Sequence, residues 1–366
     1  MLFLGDIMNP LVKDILIKIN TAGYKSYVVG GYVRDYIMCF DNNFDIDITT
    51  DAPKEILLSL FKEYSPKVYK YDTINFKIDN YSIDIAHFRD EKLVDNDLVV
   101  NMSFDIKTDS LRRDFTINSI YMDANEKFVD LYNGIDDLKR KRIVFIGDPS
   151  LRIKEDPDRI LRMIYLSIKY GFTIDEKICK DIFDISMDYI SLCSTSSLKK
   201  YLLKILDTGN YEAFFEITRF LGVSSYFFDT IDNVLCDNLF VFLISSKFKY
   251  MSILPNDINK SINNINEIIK ISNIDEKTLF KYSYEENISA AIMLDIPLAT
   301  IKNIYNSMQI HIEKDIKINK KEIADMLNSL IDEKVNKIYN NIVDLLIYNR
   351  ISNDKDVLKE YVLRGD

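Results

Sequence analysis

Carboxylates are the residues in this chain best placed to do chemistry. In Phe44-Asp45-Ile46-Asp47-Ile48 acidic and apolar residues alternate. On a strand, residues two apart point to one face, so Asp45 and Asp47 project together while Ile46 and Ile48 enter the core. Two like charges about 6 to 7 Å apart repel unless something positive lies between them. Hard Mg²⁺ meets that need, because it prefers oxygen ligands, keeps several waters and shares its shell with substrate phosphates. Asp84 lies between isoleucines in Ser82-Ile83-Asp84-Ile85-Ala86. If its strand pairs beside that of Asp45, three acids converge and could hold two ions, one activating a hydroxyl and one neutralising a departing pyrophosphate. Taken alone, an Asp-x-Asp is more often a solvated strand edge, and Asp84 is an acid facing water.

Three further segments carry phosphate- or base-binding chemistry. Val28-Val29-Gly30-Gly31-Tyr32-Val33-Arg34-Asp35 reads as a strand ending in two glycines and running straight into a helix. Such a turn lets backbone amides approach phosphates, the helix N-terminus favours anions, and Arg34 could clamp a phosphate. The same residues also suit an ordinary strand-to-helix turn. In Leu111-Arg112-Arg113-Asp114-Phe115-Thr116-Ile117-Asn118, Arg113 and Asp114 could bind ribose and phosphate oxygens, with Asn118 on the helical face of Asp114. A structural salt-bridge cluster explains them equally well. In Glu155-Asp156-Pro157-Asp158-Arg159-Ile160-Leu161-Arg162, Asp156 caps a helix with Pro157 at its first position. Arg159 and Arg162 flank Asp156, and an Asp acceptor beside an Arg donor matches the amine and adjacent ring nitrogen of cytosine or adenine. Guanine and uracil reverse that pattern, leaving buried groups unpaired at about 1 to 3 kcal/mol each.

Composition narrows the alternatives. The two histidines, His87 and His311, stand in no metal-binding or triad context, and the four cysteines (Cys39, Cys179, Cys193, Cys236) form no CxxC pair. Zinc, disulfide and His-based chemistry are therefore not indicated, and three of the thiols lie in apolar surroundings that suit burial. A net charge of −10 argues against non-specific coating of nucleic acid, though not against a local basic groove. The basic clusters Lys139-Arg140-Lys141-Arg142 and Lys199-Lys200 are candidate phosphate contacts, and exposed charged turns look the same. No membrane-length apolar stretch and no basic leader at Met1 to Pro10 are present, so a soluble, cytoplasmic protein is expected.

The elements that must position these residues follow from periodicity. Up to about Gly147, helical and strand-like segments alternate: a helix over Leu11 to Asn20, a strand Ser26 to Val29, a helix from Val33, and strands near Phe44 to Thr49, Ile74 to Ile78 and Tyr81 to Phe88. From Leu151 onward the pattern is helical, with Ile160, Ile164 and Ile168 on one face. At 366 residues the chain suffices for two or three packed units. No Pro-rich or Gly/Ser-rich linker separates them, so continuous helices are expected to join them.

Taken in order, GGxVRD, DxD, RRDFTIN and EDPxRxLR resemble the class II tRNA nucleotidyltransferase and bacterial poly(A) polymerase family. The resemblance runs from about Asn9 to Tyr211 and includes Asp130-Leu131-Tyr132-Asn133-Gly134-Ile135-Asp136-Asp137-Leu138. It implies an α+β architecture: a polymerase-β-like nucleotidyltransferase head (1-147), a helical neck with the base-reading motif (148-211), and a helical body and tail that bind tRNA (212-366). It also implies that Asp45, Asp47 and Asp84 bind Mg²⁺, and that Gly30, Gly31 and Arg34 meet the triphosphate. Arg113, Asp114 and Asn118 would meet the sugar end. Asp156 and Arg159 would select C and A, with Arg162 in support.

The implied activity is addition of CTP, CTP and ATP to the 3′ end of tRNA. CC-only addition, A-only addition or poly(A) synthesis would use the same site, and a non-catalytic RNA-binding module is the reading of another class. The chain departs from relatives in having Tyr165 where many carry Arg. It has the acidic, apolar run Asp95-Asn96-Asp97-Leu98-Val99-Val100 where CCA-adding members tend to have a basic flexible loop, and Ser194-Thr195-Ser196-Ser197-Leu198 where the neck often reads Ser-x-Glu-Arg-Ile. Residues 95–110 should decide among the activities.

Overall fold

The computed structural model describes residues 8–40, 44–94, 97–230 and 237–364. Met1 to Ile7, Asp95, Asn96 and Cys236 lie outside the described residues. The chain divides into two compact units, Met1–Tyr226 and Phe227–Asp366. The expected head and neck therefore fall in one unit, which runs past the expected boundary at 211. The physical reason is local: the helix beginning at Tyr211 packs against the Asp158–Tyr170 helix and stays with it.

In the first unit, α1 (Pro10–Thr21) starts where the Asn9 side chain accepts from the Leu11 N–H, with Pro10 in the first turn. It is followed by β1 (Ser26–Val29), α2 (Gly31–Ile37), β2 (Asp45–Thr50), α3 (Lys54–Leu60), β3 (Lys67–Val68), β4 (Ile74–Ile78) and β5 (Tyr81–His87). Next come β6 (Arg89–Val94), β7 (Asp97–Met102), α4 (Ile106–Leu111), β8 (Ile120–Met122), β9 (Phe128–Asp130), α5 (Gly134–Lys139) and β10 (Arg142–Ile143). Seven strands form one mixed sheet in the order β3-β4-β5-β2-β1-β8-β9. Its β2 and β5 run parallel, in a register that sets Asp47 directly beside Asp84. Ile46 and Ile48 of β2, and Ile83 and Ile85 of β5, are buried, so the pleat turns the acids to the other face.

The described part of 89–102 is not a loop. Arg89 to Val94 pairs antiparallel with Asp97 to Met102 as a separate ribbon.

The helices that follow are α6 (Pro149–Glu155), α7 (Asp158–Tyr170), α8 (Glu176–Ile190), α9 (Thr195–Leu206) and α10 (Tyr211–Phe220). One short exception to helical character is a parallel bridge between β10 and Thr173–Ile174. Ile160, Ile164 and Ile168 are buried on α7, as the four-residue spacing predicts. The opposite stripe, Arg162, Tyr165 and Lys169, stays open. In the second unit, helices 310–362 enclose a core of Ile323, Val335, Ile338, Ile342, Leu346 and Leu358.

Among the described cysteines, Cys179 is buried, Cys193 half-buried and Cys39 exposed, all as free thiols. Among the described residues no helix is long and apolar enough to cross a membrane.

Candidate active site

Asp45, Asp47 and Asp84 share one wall of a cleft of about 580 Å³. Desolvation by the surrounding protein raises the Asp47 carboxyl to about 6; Asp84 and Asp45 add to this, and Arg113 pulls the other way. Desolvation also raises Asp84, against a 2.9 Å hydrogen bond from the Asn75 amide, with Asp45 reinforcing the shift. Among the described residues no three acid, His or Cys side chains form a ready metal cage. The donor set is all oxygen and its charges burden one another, which fits an ion that takes one or two carboxylates and completes its shell with water and phosphate.

The glycine turn borders the same cleft. Gly30 has φ +77°, a conformation that favours glycine, and a Cβ there would crowd Asp47 Oδ2 at 3.2 Å. Gly31 starts α2. Arg34 lines the cleft but is buried and already engaged: it donates to Asp35 Oδ1 at 3.0 Å, Asn118 Oδ1 at 2.7 Å and the Tyr170 hydroxyl at 2.8 Å. In this arrangement it braces the turn rather than reaching freely for phosphate.

Arg113 and Asp114 point into separate networks. Arg113 donates to the Tyr121 hydroxyl at 2.9 Å and to Asp109 Oδ2 at 3.2 Å, and Asp109 also takes Arg112 Nε at 2.9 Å. Burial opposes ionisation of Asp109, but Arg113, Arg112 and the Tyr121 hydroxyl overcome it and hold the carboxyl below the ordinary range. Asp114 Oδ1 accepts from the Phe115 N–H at 2.7 Å and from Asn118 at 3.1 Å, while Oδ2 accepts from Arg162 at 2.5 Å. Burial again works against the charge, and Arg162 with the two N–H donors reverses it. Asn118 meets Asp114 as the spacing suggests, although through an extended Phe115 and a 3-10 turn, Thr116–Asn118, rather than an α-helix. That turn is seated on Gly134, where a Cβ would fall 2.3 Å from the Thr116 carbonyl oxygen. Asp130 caps the Gly134 and Ile135 N–H groups, and Asp137 accepts from Thr116 at 2.7 Å.

Asp156 and Arg159 do not line this cleft. They border an adjoining one of about 340 Å³ with Glu91, Arg152 and Glu155. Asp156 Oδ1 accepts from the Asp158 N–H at 3.1 Å, which is the capping role expected of it. Its Oδ2 stands 3.8 Å from Arg159 Nε and 3.9 Å from Arg162. Arg159 is buried and donates to the carbonyls of Arg152 at 2.5 Å and Arg112 at 3.2 Å, and its Nε has no hydrogen-bond partner among the described residues. The two clefts are thus linked through Asp156, Arg162 and Asp114.

Several cleft residues were not singled out from the motifs. Tyr201 on α9 accepts from Arg162 Nε at 2.9 Å and lies 6.0 Å from the Tyr165 ring. Lys169, Lys200 and Lys204 line the same wall. Lys200 had been noted only as half of a basic pair; its four-residue spacing from Lys204 is the signal that both share a face. In the other basic cluster, Arg140 pairs with Asp136 at 2.9 Å and Arg142 with Asp137 at 2.6 Å. In the neck, Ser194 caps α9 and Ser197 donates to Asp158, taking up the segment where relatives carry Glu and Arg.

Residues 26–144 match the family described as the poly A polymerase head domain. Over 387 aligned residues, covering 96% of each chain, the sequence is 28% identical to the CCA-adding enzyme of Staphylococcus epidermidis (strain ATCC 12228 / FDA PCI 1200). It is 27% identical over the same span to that of Staphylococcus aureus (strain bovine RF122 / ET3-1). The chain is thus similar to CCA-adding enzymes over nearly its whole length, and its first part to the poly A polymerase head domain. Its fold is that of solved CCA-adding enzymes: the Bacillus stearothermophilus enzyme in complex with CTP superposes with a TM-score of 0.72 at 18% identity, covering 96% of both chains. The Thermotoga maritima CCA-adding enzyme complexed with tRNA ending in CCA superposes with a TM-score of 0.67, also at 18% identity, covering 99% of this chain and 97% of that one. The family match ends at 144, so the head carries the acids, the glycine turn and RRDFTIN, while Asp156 and Arg159 lie beyond it.

Proposed function

We propose that the protein adds CTP, CTP and ATP in turn to the 3′ end of tRNA, without a nucleic acid template and with release of pyrophosphate, in the cytoplasm. The observation that carries this reading is the register of β2 and β5, which brings Asp47 and Asp84 side by side at a cleft shared with Asp45, Arg113 and the glycine turn. Asp45, Asp47 and Asp84 are the ligands for divalent ions, Mg²⁺ in this reading. Bound there, the ions would acidify the attacking hydroxyl and neutralise charge on the phosphates. The Gly30-Gly31 amides and the cleft lysines receive the polyphosphate, with Arg34 bracing the turn. Arg113 balances the acids from across the cleft. Asp156 and Arg159 choose the base, and Arg162, held by Asp114 and Tyr201, fixes the position of Asp156.

The division of labour follows the chain: residues 1-147 carry the chemistry, 148-211 read the base, and 212-366 bind tRNA. A non-catalytic RNA-binding module would gain nothing from setting Asp47 and Asp84 beside further acids that raise their cost of ionisation. CC-only, A-only and poly(A) activities share the same wall of acids, so products must separate them. The protein is incubated with tRNA ending at the discriminator base, after C, or after CC, with labelled CTP, ATP or both. Full CCA addition gives bands that stop after three, two and one additions. Incorporation of one nucleotide only, or an unbounded ladder with ATP, would replace this reading.

A further inference from the structure

The acid wall has a second side. Asp47, Asp84 and Arg113 also line a separate cleft of about 630 Å³, within the usual ~300–1,000 Å³ of ligand pockets. The nucleotide cleft covers the start of β2, at Phe44 and Asp45, whereas this one covers its far end, at Thr49. Nucleotidyl transfer displaces pyrophosphate in line, so the attacking hydroxyl must come from the side away from the departing phosphates. A polyphosphate in the first cleft leaves the second for the strand that bears the hydroxyl.

The rim of this second cleft sets exposed aromatic rings among cations. Tyr69-Lys70-Tyr71 crosses it between β3 and β4, with Tyr69 56% and Tyr71 40% exposed. The backbone that presents them is strained: Tyr71 and Asp72 both have positive φ, 57° and 56°, a region that non-glycine residues rarely adopt. The strap is tied by the Tyr69 N–H donating to the Thr73 carbonyl at 2.8 Å and by Lys54 donating to Asp72 at 2.8 Å. Arg89 sits 5.0 Å from the centre of the Tyr71 ring. Exposed aromatic rings interleaved with cations beside a cleft are the elements with which proteins hold unpaired nucleotides, the rings stacking on bases and the cations tracking phosphates.

We propose that Tyr69 and Tyr71 form a stacking clamp for the unpaired 3′-terminal bases of the RNA acceptor, delivering its hydroxyl to the wall of Asp47 and Asp84. The clamp rests on the nucleotidyl-transfer reading above, but its binding step can be tested without turnover. An RNA stem with a single-stranded 3′ end carries 2-aminopurine as its last base, whose fluorescence falls on stacking, and is titrated with protein in the absence of nucleotide. The wild type and Tyr69→Phe/Tyr71→Phe quench the probe. Tyr69→Leu/Tyr71→Leu does not, and its acceptor KM rises about tenfold for each ring lost while KM for CTP is unchanged. Tyr69→Leu alone leaves the left-handed backbone untouched, so it tests the same contact should the double variant fail to fold. Quenching retained in the Leu variants, or a rise in KM for CTP with acceptor affinity intact, would overturn the clamp. A wild type that adds nucleotide without quenching also overturns it, whereas one that quenches without adding nucleotide upholds the clamp and removes the transfer reading.

Discussion

Asp47 and Asp114 line the same cleft, yet the first is held above the ordinary carboxylate range and the second below it. Asp114 is buried and Asp47 opens on the cleft, so burial alone would order the two the other way. Asp114 has two N–H donors and the Arg162 guanidinium within hydrogen-bond distance. Asp47 has two further acids as neighbours, opposed by Arg113 and, more weakly, by Lys200. One side of the cleft has its charges paired within the protein, and the other leaves its acids mostly facing one another, as the proposed ion site requires. A preorganised scaffold beside an electrostatically strained wall is how a fold can stay rigid and still bind ions.

Removing the strained wall should have the largest effect. Asp47→Ala forfeits several kcal/mol of charge stabilisation in the transition state, a loss on the order of a thousandfold in incorporation rate. tRNA binding should change little, as read by filter binding alongside the gel assay. If tRNA affinity collapsed in step with the rate, Asp47 would belong to the scaffold and the contrast with Asp114 would fail.

The completed side should respond in stability rather than rate. Asp109, fully buried, is shared by Arg112, Arg113 and Tyr121. Asp109→Ala removes the buried carboxylate that Arg112 and Arg113 share, at a cost of about 3 to 5 kcal/mol. Urea unfolding monitored on the first unit would register it. A variant of ordinary stability would mean that water replaces the carboxylate easily and that the network is not the brace described.

The comparison also marks what could be read from residue order alone. The alternation of β2 and β5 announced the acid wall, because a two-residue period fixes the face of each side chain before the strand partner is known. The motif residues of the head, together with Arg162, do converge. What escaped depends on packing between distant segments: Tyr201 reaches Arg162 only because α9 lies on α7, and Asp109 joins Tyr121 only through the sheet. Arg34 and Arg159 show a further limit. Their positions were expected, but sequence does not reveal that their guanidinium groups are committed to Asp35, Asn118, Tyr170 and backbone carbonyls.

Asp156→Ala tests where the two sides meet. It removes the acceptor proposed for the exocyclic amine and one neighbour of Arg162. Discrimination of CTP and ATP against UTP and GTP should fall by about 1 to 3 kcal/mol, roughly five- to 150-fold in relative kcat/KM. Incorporation itself should persist. Unchanged selectivity would remove the case for base choice by this side chain.

The smallest effect is in the dependence of stability on pH, where the two sides predict opposite slopes. Asp47 and Asp84 have folded values raised above the unfolded value of about 4. The native state therefore binds more protons than the unfolded chain between about pH 6 and 4, and stability rises as pH falls through that window. Asp109 and Asp114 have folded values depressed below it. Their contribution is fully present above about pH 4 and is lost as pH falls further, through the depressed values. Urea midpoints measured without divalent ions should thus climb gently from pH 7 toward 4 and then drop. Added Mg²⁺ should flatten the upper slope, because an ion replaces the proton as the partner of Asp47, and leave the acid drop in place. Asp47→Asn should flatten the same slope without Mg²⁺. An upper slope that survives both changes would assign it to groups outside the acid wall.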